Sequence, residues 1–322
     1  MQAFSRSLLD LYEAAICTNI SDYRREMLKI IKQLIDFDGA VLGMGRPRIL
    51  HSPDLIIEKA HVFKYDIAIF DQFAKVSNNN PMAEIFVRGL AIPMSLDCIG
   101  FYKAKRGAAM LNFVQEHDNN HLLLFGTPPG LKCDEEWLVL YRGAGKRFEY
   151  TDRVYLLALW PHLMRCIGIN CTYYLSSYLL EESNSAAALI NRTGKIEAAT
   201  DSFYEMLMLE WPAWRAPKKT TLPNNLIQTC LAALNYQGAN VDFVMARRGD
   251  YILCTPRRRS KLAGLTPTEN LVLLQFSSGL SHKKIAQISG SSQNTIRSHI
   301  AHGYAKLGVH NKAELANLFS IA

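Results

Sequence analysis

The segment from Leu265 to the C-terminus contains a regular series of helix start and stop signals. Thr266 is followed by Pro267 and then by Glu269, so an N-cap hydroxyl, a proline at the first helical position and a capping-box carboxylate coincide. Farther along, glycines stand just beyond stretches whose apolar residues repeat at helical spacing, which is where glycine commonly ends helices. These signals predict four short helices, at about 267–278, from Ser281 to Gly290, from Ser291 or Ser292 to Gly308, and at about 311–320.

The third of these helices has two faces of different chemistry. Its apolar side carries Ile296, Ile300, Gly303, Tyr304 and Leu307. At about 100° per residue, the opposite side carries Asn294, Arg297, Ser298, Ala301, His302 and Ala305. Such a short polar face suits close approach to the edges of bases. A two-turn helix, a glycine-containing turn and a longer helix of this kind indicate a helix-turn-helix, whose second helix enters the major groove.

Positive charge is concentrated in the same part of the chain. From Arg257 to the end there are nine Lys and Arg against two Asp and Glu, which leaves +7, the formal charge of the whole chain. Residues 1–256 therefore sum to zero. A neutral body with a basic end is typical of a nucleic-acid-binding module attached to another domain. The basic run 257–261 is open to two interpretations, a phosphate-tracking segment or a solvated linker.

The C-terminal segment resembles the LuxR/GerE-type helix-turn-helix family. The motifs that carry the resemblance are L-T-x-x-E (265–269), G-L-S-x-K-x-I-A (279–286), S-x-x-T-I-x-S-H-I (292–300), K-L-G-V (306–309) and N-K-A-E-L (311–315). The resemblance implies that Arg297, Ser298 and Ala301 occupy base-reading positions. It also implies positions that contact phosphates or support the recognition helix, namely Lys283, Ser292, Asn294, Thr295 and His299.

Three features depart from the family pattern. Lys284 replaces the usual acidic residue, which we expect to strengthen attraction to phosphate. Ser289 and Ser291 stand where apolar residues are common, so we expect looser packing around the turn, compensated by Ile288. Ala301 lacks the long polar side chain of many members, which limits readout there to a thymine methyl contact.

The first part of the chain predicts an α/β sensor region. Apolar spacing indicates helices over Phe4–Cys17 and Asp22–Asp36, followed by a strand over Ala40–Met44. The segments His121–Phe125 and Trp137–Arg142 predict paired strands. A long helix bent at Pro161 is expected over Thr151–Tyr174. The stretch W-L-V-L-Y-R-G (137–143), Phe148, Asp152 and L-W-P-H-L (159–163) resembles regulators with GAF-like N-terminal domains.

A smaller unit is predicted after a polar linker at 181–185. Ala186–Ile190, a turn at 192–195, Ile196–Ala199 and a helix from Asp201 make a strand-turn-strand-helix unit. Val241–Ala246 and Tyr251–Thr255 around residues 247–250 predict a hairpin. This unit looks PAS-like, the alternative being an irregular extension of the first domain. The predicted fold is multidomain, with a GAF-like α/β sensor and dimerisation domain (1–180), a PAS-like α+β unit (183–256) and a four-helix LuxR-type domain (257–322).

No set of residues in this region predicts catalysis or a bound metal. His117 and His121 have the spacing of metal ligands on a helix, but Asp-Asn-Asn between them predicts a turn, so a surface loop is favoured. The run 126–130 lacks the Lys-Ser/Thr ending of a phosphate-binding loop and predicts a turn. We therefore expect no enzyme. Four aromatic residues fit either a ligand cavity or core packing: Phe101, Tyr102, Trp137 and Trp160.

Cysteine usage and apolar content predict a cytoplasmic protein without membrane contact. The seven cysteines are dispersed and form no C-x-x-C pair, which is typical of reduced thiols. The N-terminus has no secretory signal pattern. The most apolar stretch, Val154–Met164, is too short to span a bilayer.

Together these features predict a ligand-responsive transcriptional regulator that binds double-stranded DNA as a homodimer. Its ligand would be a small molecule held within residues 1–256, and RNA polymerase is a further expected partner. One alternative is an enzyme carrying a DNA-binding appendage, which would need a catalytic set in residues 1–256. Another is a sensor protein whose helical tail contacts proteins. The basic, polar outer face of the third helix favours DNA.

Overall fold

The computed structural model of the chain describes residues 2–48, 54–64, 69–76, 80–82, 92–126, 135–182, 186–214, 221–232, 234–259 and 261–321. Two compact units are present. The first comprises Met1–Thr200, Pro217–Leu222 and Ala246–Leu253. The second comprises Asp201–Ala216, Pro223–Met245 and Cys254–Ala322.

The first unit contains a sheet with helices on both faces. It begins with α1 (Gln2–Cys17) and α2 (Tyr23–Leu34) and includes the long helix α6 (Tyr150–Glu182). Between α2 and α6 lie β1 (Gly39–Arg48), β2 (Asp54–Phe63), α3 (Ile69–Val76), β3 (Met94–Asp97), α4 (Cys98–Ala104), α5 (Ala108–Glu116), β4 (His121–Gly126) and β5 (Glu135–Arg142). The two predicted N-terminal helices and the predicted β4–β5 pair are confirmed.

The first sheet has the order β2-β1-β5-β4-β3, and each pair of neighbouring strands in it is antiparallel. Because successive residues of a strand point to opposite faces, Leu123 and Leu140 lie on one side and Leu124 and Val139 on the other. The first side packs in a core with α1, α2 and α6. The second side packs in a separate core with Tyr102 and other residues of α4 and α5. Apolar residues occupy both odd and even positions of these strands, so both faces of the sheet are apolar and both are covered by helices.

The aromatic candidates pack in these cores. Tyr102 and Trp137 belong to the core on the α4–α5 side, and Phe101 packs partly buried against it. Trp160 belongs to the core on the α6 side, edge-on to Phe125. Core packing, the second of the two predicted interpretations, is therefore the observed one.

Helix α6 is longer than the sequence indicates. It has 33 residues, continues past Tyr174 and contains Pro161 within it. Glu181 and Glu182 of the predicted linker are helical, and residues 183–185 lie outside the described residues. Among the described helices, α6 alone is long and apolar enough to cross a membrane. The prediction that the apolar stretch 154–164 is too short to span a bilayer therefore does not apply to the whole helix. Leu156, Leu159 and Leu163 are nevertheless fully buried in the core, as in a core helix.

A second sheet follows α6. Its elements are β6 (Ala188–Ile190), β7 (Ile196–Ala199), α7 (Asp201–Glu210), α8 (Asn224–Ala232), β8 (Asn235–Gln237), β9 (Val241–Arg248) and β10 (Tyr251–Arg258). The strand order is β7-β6-β10-β9-β8. The predicted strand-turn-strand-helix unit and the predicted hairpin are both present. If the five strands of each sheet are numbered 1 to 5 along the chain, both sheets have the same spatial order, 2-1-5-4-3.

The β9–β10 turn requires a glycine. Gly249 has a positive φ of 56°, a conformation that side chains disfavour. A Cβ at this position would also come within 3.0 Å of the Cα of Ser21. The turn is thus two residues, Gly249 and Asp250, and is shorter than the predicted 247–250 because β9 runs through Arg248.

A buried arginine joins this turn to the N-terminal helices. The Arg24 guanidinium of α2 donates to the Glu136 carboxylate of β5 and to the Tyr251 hydroxyl, each at 3.1 Å. Its Nε lies 3.4 Å from the Asp250 carboxylate. Burial by itself would lower the pKa of Arg24, but the nearby Glu136 and Tyr251 oxygens raise it, so the guanidinium stays charged. Sequence reasoning missed this cluster because its members are distant in the chain.

Candidate nucleic-acid interface

Four α-helices form the C-terminal part of the second unit. After a 3₁₀ turn at Lys261–Gly264 come α9 (Pro267–Ser277), α10 (His282–Ser289), α11 (Gln293–Leu307) and α12 (Lys312–Ile321). The predicted capping box starts α9. The Thr266 hydroxyl accepts from the Glu269 amide at 3.2 Å, and the Thr266 amide donates to the Glu269 carboxylate at 2.8 Å.

Serine hydroxyls and glycines set the ends of α10 and α11. Ser281 accepts from the Lys284 amide at 3.3 Å, and Ser292 accepts from the Thr295 amide at 3.1 Å. Of the two predicted caps for α11, Ser292 is the one observed. Gly290 and Gly308 end the two helices in the left-handed conformation. A turn of only three residues, 290–292, therefore joins α10 to α11.

The four helices share one core. Its buried members are Val272 and Leu273 of α9, Ile285 and Ala286 of α10, Ile296, Ile300 and Leu307 of α11, Val309, and Leu315 of α12. Gly303 allows α11 to approach α9, because a Cβ there would lie 2.3 Å from Cδ1 of Leu273. The apolar side predicted for this helix is the buried one.

The polar side of α11 faces solvent. Asn294, Arg297, Ser298, Ala301, His302 and Ala305 are all exposed. Of the other predicted site residues, Lys283, Ser292 and Thr295 are exposed, and His299 is half-buried. The Ser292 and Thr295 hydroxyls hydrogen-bond to each other at 2.8 Å, so both serve the helix cap. The fold thus brings the predicted base-reading residues onto one surface of α11, with Lys283 on the adjoining helix α10.

Several cations of the basic end have structural partners. Lys306 donates to the Glu269 carboxylate at 2.7 Å and so joins α11 to the start of α9. Lys312 lies over the Phe276 ring at 4.6 Å. Arg259 donates to the Gly238 carbonyl at 2.8 Å, so part of the run 257–261 serves to anchor the chain.

The two acidic residues of the domain are also engaged. Glu269 is 5% exposed, and its bond from Lys306 together with the capping box lowers its pKa from 4.5 to about 2. At the start of α12, the Glu314 carboxylate accepts from the His310 backbone amide at 2.8 Å and from the Asn311 side-chain amide. Lys283, Lys284 and Arg297 remain exposed. Within the four helices, the positive charge available to a ligand therefore lies on α10 and α11, and Arg257 and Arg258 before them are exposed as well.

The serine departures from the family pattern lie at the surface. Ser289 and Ser291 are exposed, and their hydroxyls lie 3.5 Å from the carbonyls of Ala286 and Ser289. Ile288 is 54% exposed, so it does not compensate for them in the core. That expectation was wrong because Ile288 stands in the last turn of α10, outside the core that Ile285 joins.

The histidine pair lies elsewhere in the chain and is split between two environments. Asp118 between them has a positive φ of 51°, as the predicted turn requires. His117 pairs with Gln72 at 2.9 Å, whereas His121 is buried in β4, which corrects the prediction of a surface loop for both. Within the described ranges, no group of three or more His, Cys, Asp or Glu residues could hold a metal ion. Most of the run 126–130 lies outside the described residues.

This arrangement of caps, core and exposed helix face defines a helix-turn-helix domain. A model of the luxR family of bacterial regulatory proteins (GerE) matches residues 263–319. The C-terminal domain is a LuxR-family domain. Because the family consists of regulatory proteins, the match also supports the prediction that the chain is not an enzyme.

Three solved structures show weak similarity over longer stretches. SdiA of Escherichia coli in complex with octanoyl-rac-glycerol is 12% identical over 99% of this chain and 95% of its own, with a TM-score of 0.40. The N-acylhomoserine lactone dependent LuxR family factor CepR2 from Burkholderia cenocepacia is 13% identical over 55% of this chain and 99% of its own, with a TM-score of 0.40. The VqsR LBD domain from Pseudomonas aeruginosa is 14% identical over 53% and 96%, with a TM-score of 0.36.

Similarity at this level carries no argument about ligand or mechanism. No curated protein matches the chain. The architecture therefore rests on the strands and helices themselves, an N-terminal α/β region with two antiparallel sheets and a C-terminal helix-turn-helix.

Proposed function

We propose that this protein is a LuxR-type, ligand-responsive transcriptional regulator that binds double-stranded DNA as a homodimer through α11. One observation carries the proposal. The exposed polar face of α11 lies beside the exposed lysines of α10, while both acidic residues of the domain are engaged in helix caps. A phosphate backbone would therefore meet cations with little opposing charge.

The exposed residues divide into two proposed roles. Arg297 is the longest donor on the outer face, which suits it to bidentate contact with guanine, and Ser298 and Ala301 would read the neighbouring bases. The proposed phosphate-contacting or supporting residues are Lys283, Ser292, Asn294, Thr295 and His299. Helix N-termini and short hydroxyl side chains commonly bind phosphates in this way.

The proposed domain division is a GAF-like sensor over 1–180, a PAS-like unit over 183–256 and the four-helix domain over 257–322. The identical strand order of the two antiparallel sheets supports two related sensor modules. A small-molecule ligand within residues 1–256 would supply the signal. We place the protein in the cytoplasm, free of membrane contact, with RNA polymerase as a further partner.

A homodimer has a candidate contact surface on the first unit. Apolar side chains are exposed on α1, at Leu9 and Ile16, and on α6, at Val154, Leu157, Tyr173 and Leu180. Large exposed apolar residues on two helices that pack together commonly mark an interaction surface. A symmetric pairing through this face would present two copies of α11 to DNA.

Selection from a pool of random DNA duplexes tests the proposal. Full-length protein should enrich an inverted repeat whose half-sites are spaced about one helical turn, roughly 10 base pairs. An Arg297→Ala variant is the matched control and should enrich a degenerate sequence or none. Failure of the unmodified protein to enrich any sequence would contradict DNA recognition.

Protein contact by the same domain is a second candidate. Leu271 and Leu274 on α9 and Ile288 on α10 are large apolar residues left exposed. They favour a docking surface on the outside of the domain. Protein capture without any sequence enrichment in the selection would favour this alternative over DNA binding.

A further inference from the structure

A row of polar residues crosses three neighbouring strands of the first sheet. Asp97 at the end of β3 lies directly opposite His121 on β4, and His121 lies directly opposite Arg142 on β5. Directly opposite residues place their side chains on the same face. By the strand alternation this is the face of Leu123 and Leu140, which packs with α6. The row is therefore on the side of the sheet away from the α4–α5 core.

The row lies along a polar cleft of about 790 Å³. One wall is the loop after β5, which Arg142 holds in place. Its Nε donates to the Asp36 carbonyl at 2.7 Å and its Nη1 to the Arg147 carbonyl at 2.8 Å. Both Nη atoms also reach the Asp152 carboxylate at the start of α6, at 3.0 and 3.3 Å. A cleft of this size, built on strand ends and a pinned loop, is in the range of small-molecule sites.

Two buried polar side chains, Asn120 and His121, line the cleft. Asn120 is 7% exposed, and its amide nitrogen donates to Asp118 at 2.7 Å, which orients the side chain. Its carbonyl oxygen has no partner in the described part of the chain. His121 is 8% exposed and lies beside it along the cleft. A buried polar atom that stays unpaired is costly, so the Asn120 side-chain oxygen favours a polar ligand in the cleft.

The rim of the cleft carries both signs of charge. Lys146 and Arg147 are largely exposed, and within the described part of the chain their ion pairs are long, at 3.8 Å from Lys146 to Asp38 and 3.8 Å from Arg147 to Asp97. Exposed pairs of this length contribute little and exchange readily for a better partner. The Asp97 and Glu149 carboxylates lie along the same cleft. A ligand of one sign would leave half of these groups opposed to it, whereas a zwitterion satisfies both.

We propose that this cleft binds a small zwitterion, an amino acid or a short peptide. The ligand carboxylate would lie against Lys146 and Arg147. Its amino group would donate to the side-chain oxygen of Asn120 and to the Asp97 carboxylate. His121 would be a further hydrogen-bonding partner. The proposal rests on the proposed function in that it assigns the signal of a ligand-responsive regulator.

Titration calorimetry on full-length protein without DNA tests the site. The probes are the proteinogenic amino acids and their glycyl dipeptides, each compared with its N-acetylated and its C-amidated form. At least one zwitterion should bind, and either blocked form should bind roughly tenfold more weakly, because each removes one charge-assisted contact. Absence of binding by every zwitterion, or equal binding of the blocked forms, would overturn the proposal.

Paired variants locate the binding. The double variant Lys146→Gln with Arg147→Gln changes only exposed side chains. It should weaken binding of the zwitterion roughly tenfold without lowering Tm. Lys103→Gln with Lys105→Gln removes the same charge outside the cleft and should leave affinity unchanged. Asn120→Ser should weaken binding as well. Unchanged affinity in the rim variant would place the ligand elsewhere. If no zwitterion binds, the DNA selection can still succeed, and if the selection fails, a zwitterion can still bind the cleft. The two experiments therefore test the two proposals separately.

Discussion

At the scale of single residues, Arg297 and Lys283 are exposed cations on adjoining helices with different proposed partners. Arg297→Ala should relax discrimination at one base pair, by roughly 1–3 kcal/mol, because bidentate guanine contact depends on its fork of donors. Lys283→Ala should weaken binding to DNA of any sequence to a similar degree, because phosphates carry no sequence information. Anisotropy titrations on the selected duplex and a scrambled duplex distinguish the two. Equal losses on both duplexes for the Arg297 variant would count against its reading role.

At the scale of helices, Glu269 joins the start of α9 to the end of α11 and makes the domain sensitive to acid. Its pKa falls from 4.5 to about 2 in the folded chain. A depressed carboxyl pKa contributes stability above pH 4.5, and that contribution is lost as the pH falls toward 2. Thermal unfolding of residues 257–322 across this range should show the loss. Glu269→Gln should remove it, whereas Glu314→Gln, which keeps the Lys306 pair, should retain it.

The Arg24 cluster joins three elements of the first unit, namely α2, β5 and the β9–β10 turn. Arg24→Met should lower the free energy of unfolding by roughly 3–5 kcal/mol, because it leaves the Glu136 carboxylate, whose side chain is only 16% exposed, without its guanidinium. The neighbouring Arg25 is exposed, so Arg25→Met should change stability by no more than about 0.5 kcal/mol. Urea denaturation of both variants measures the difference. Similar values for the two would show that the buried cluster contributes nothing.

At the scale of the whole molecule, we expect DNA affinity to depend on the N-terminal domains. Residues 257–322 contain a complete core and all the uncompensated positive charge, so this fragment should fold and bind DNA weakly. Full-length protein should bind more tightly, because dimerisation engages two half-sites at once. Footprinting and sedimentation of both proteins decide the matter. Equal affinity of the two, or a full-length monomer on DNA, would contradict the dimer proposal.

The helices of the C-terminal domain were predictable because their signals are local. The Thr266–Glu269 box, the Ser292 cap and the left-handed glycines act within one turn of the chain, so their spacing in the sequence is their spacing in space. The buried and exposed sides of α11 followed from helical periodicity for the same reason. The predicted roles of the exposed residues in DNA contact stay predictions.

Only the tertiary structure decided which charges remain free. Lys306 meets Glu269 across 37 residues, Arg24 meets Tyr251 across 227, and no local pattern encodes either pair. Likewise, the register of three strands, rather than any motif, brings Asp97, His121 and Arg142 into one row. The sequence by itself determined the helices and their caps, because those depend on contacts within a few residues. The buried ion pairs and the polar cleft depend on packing between distant segments, which the fold alone brings together.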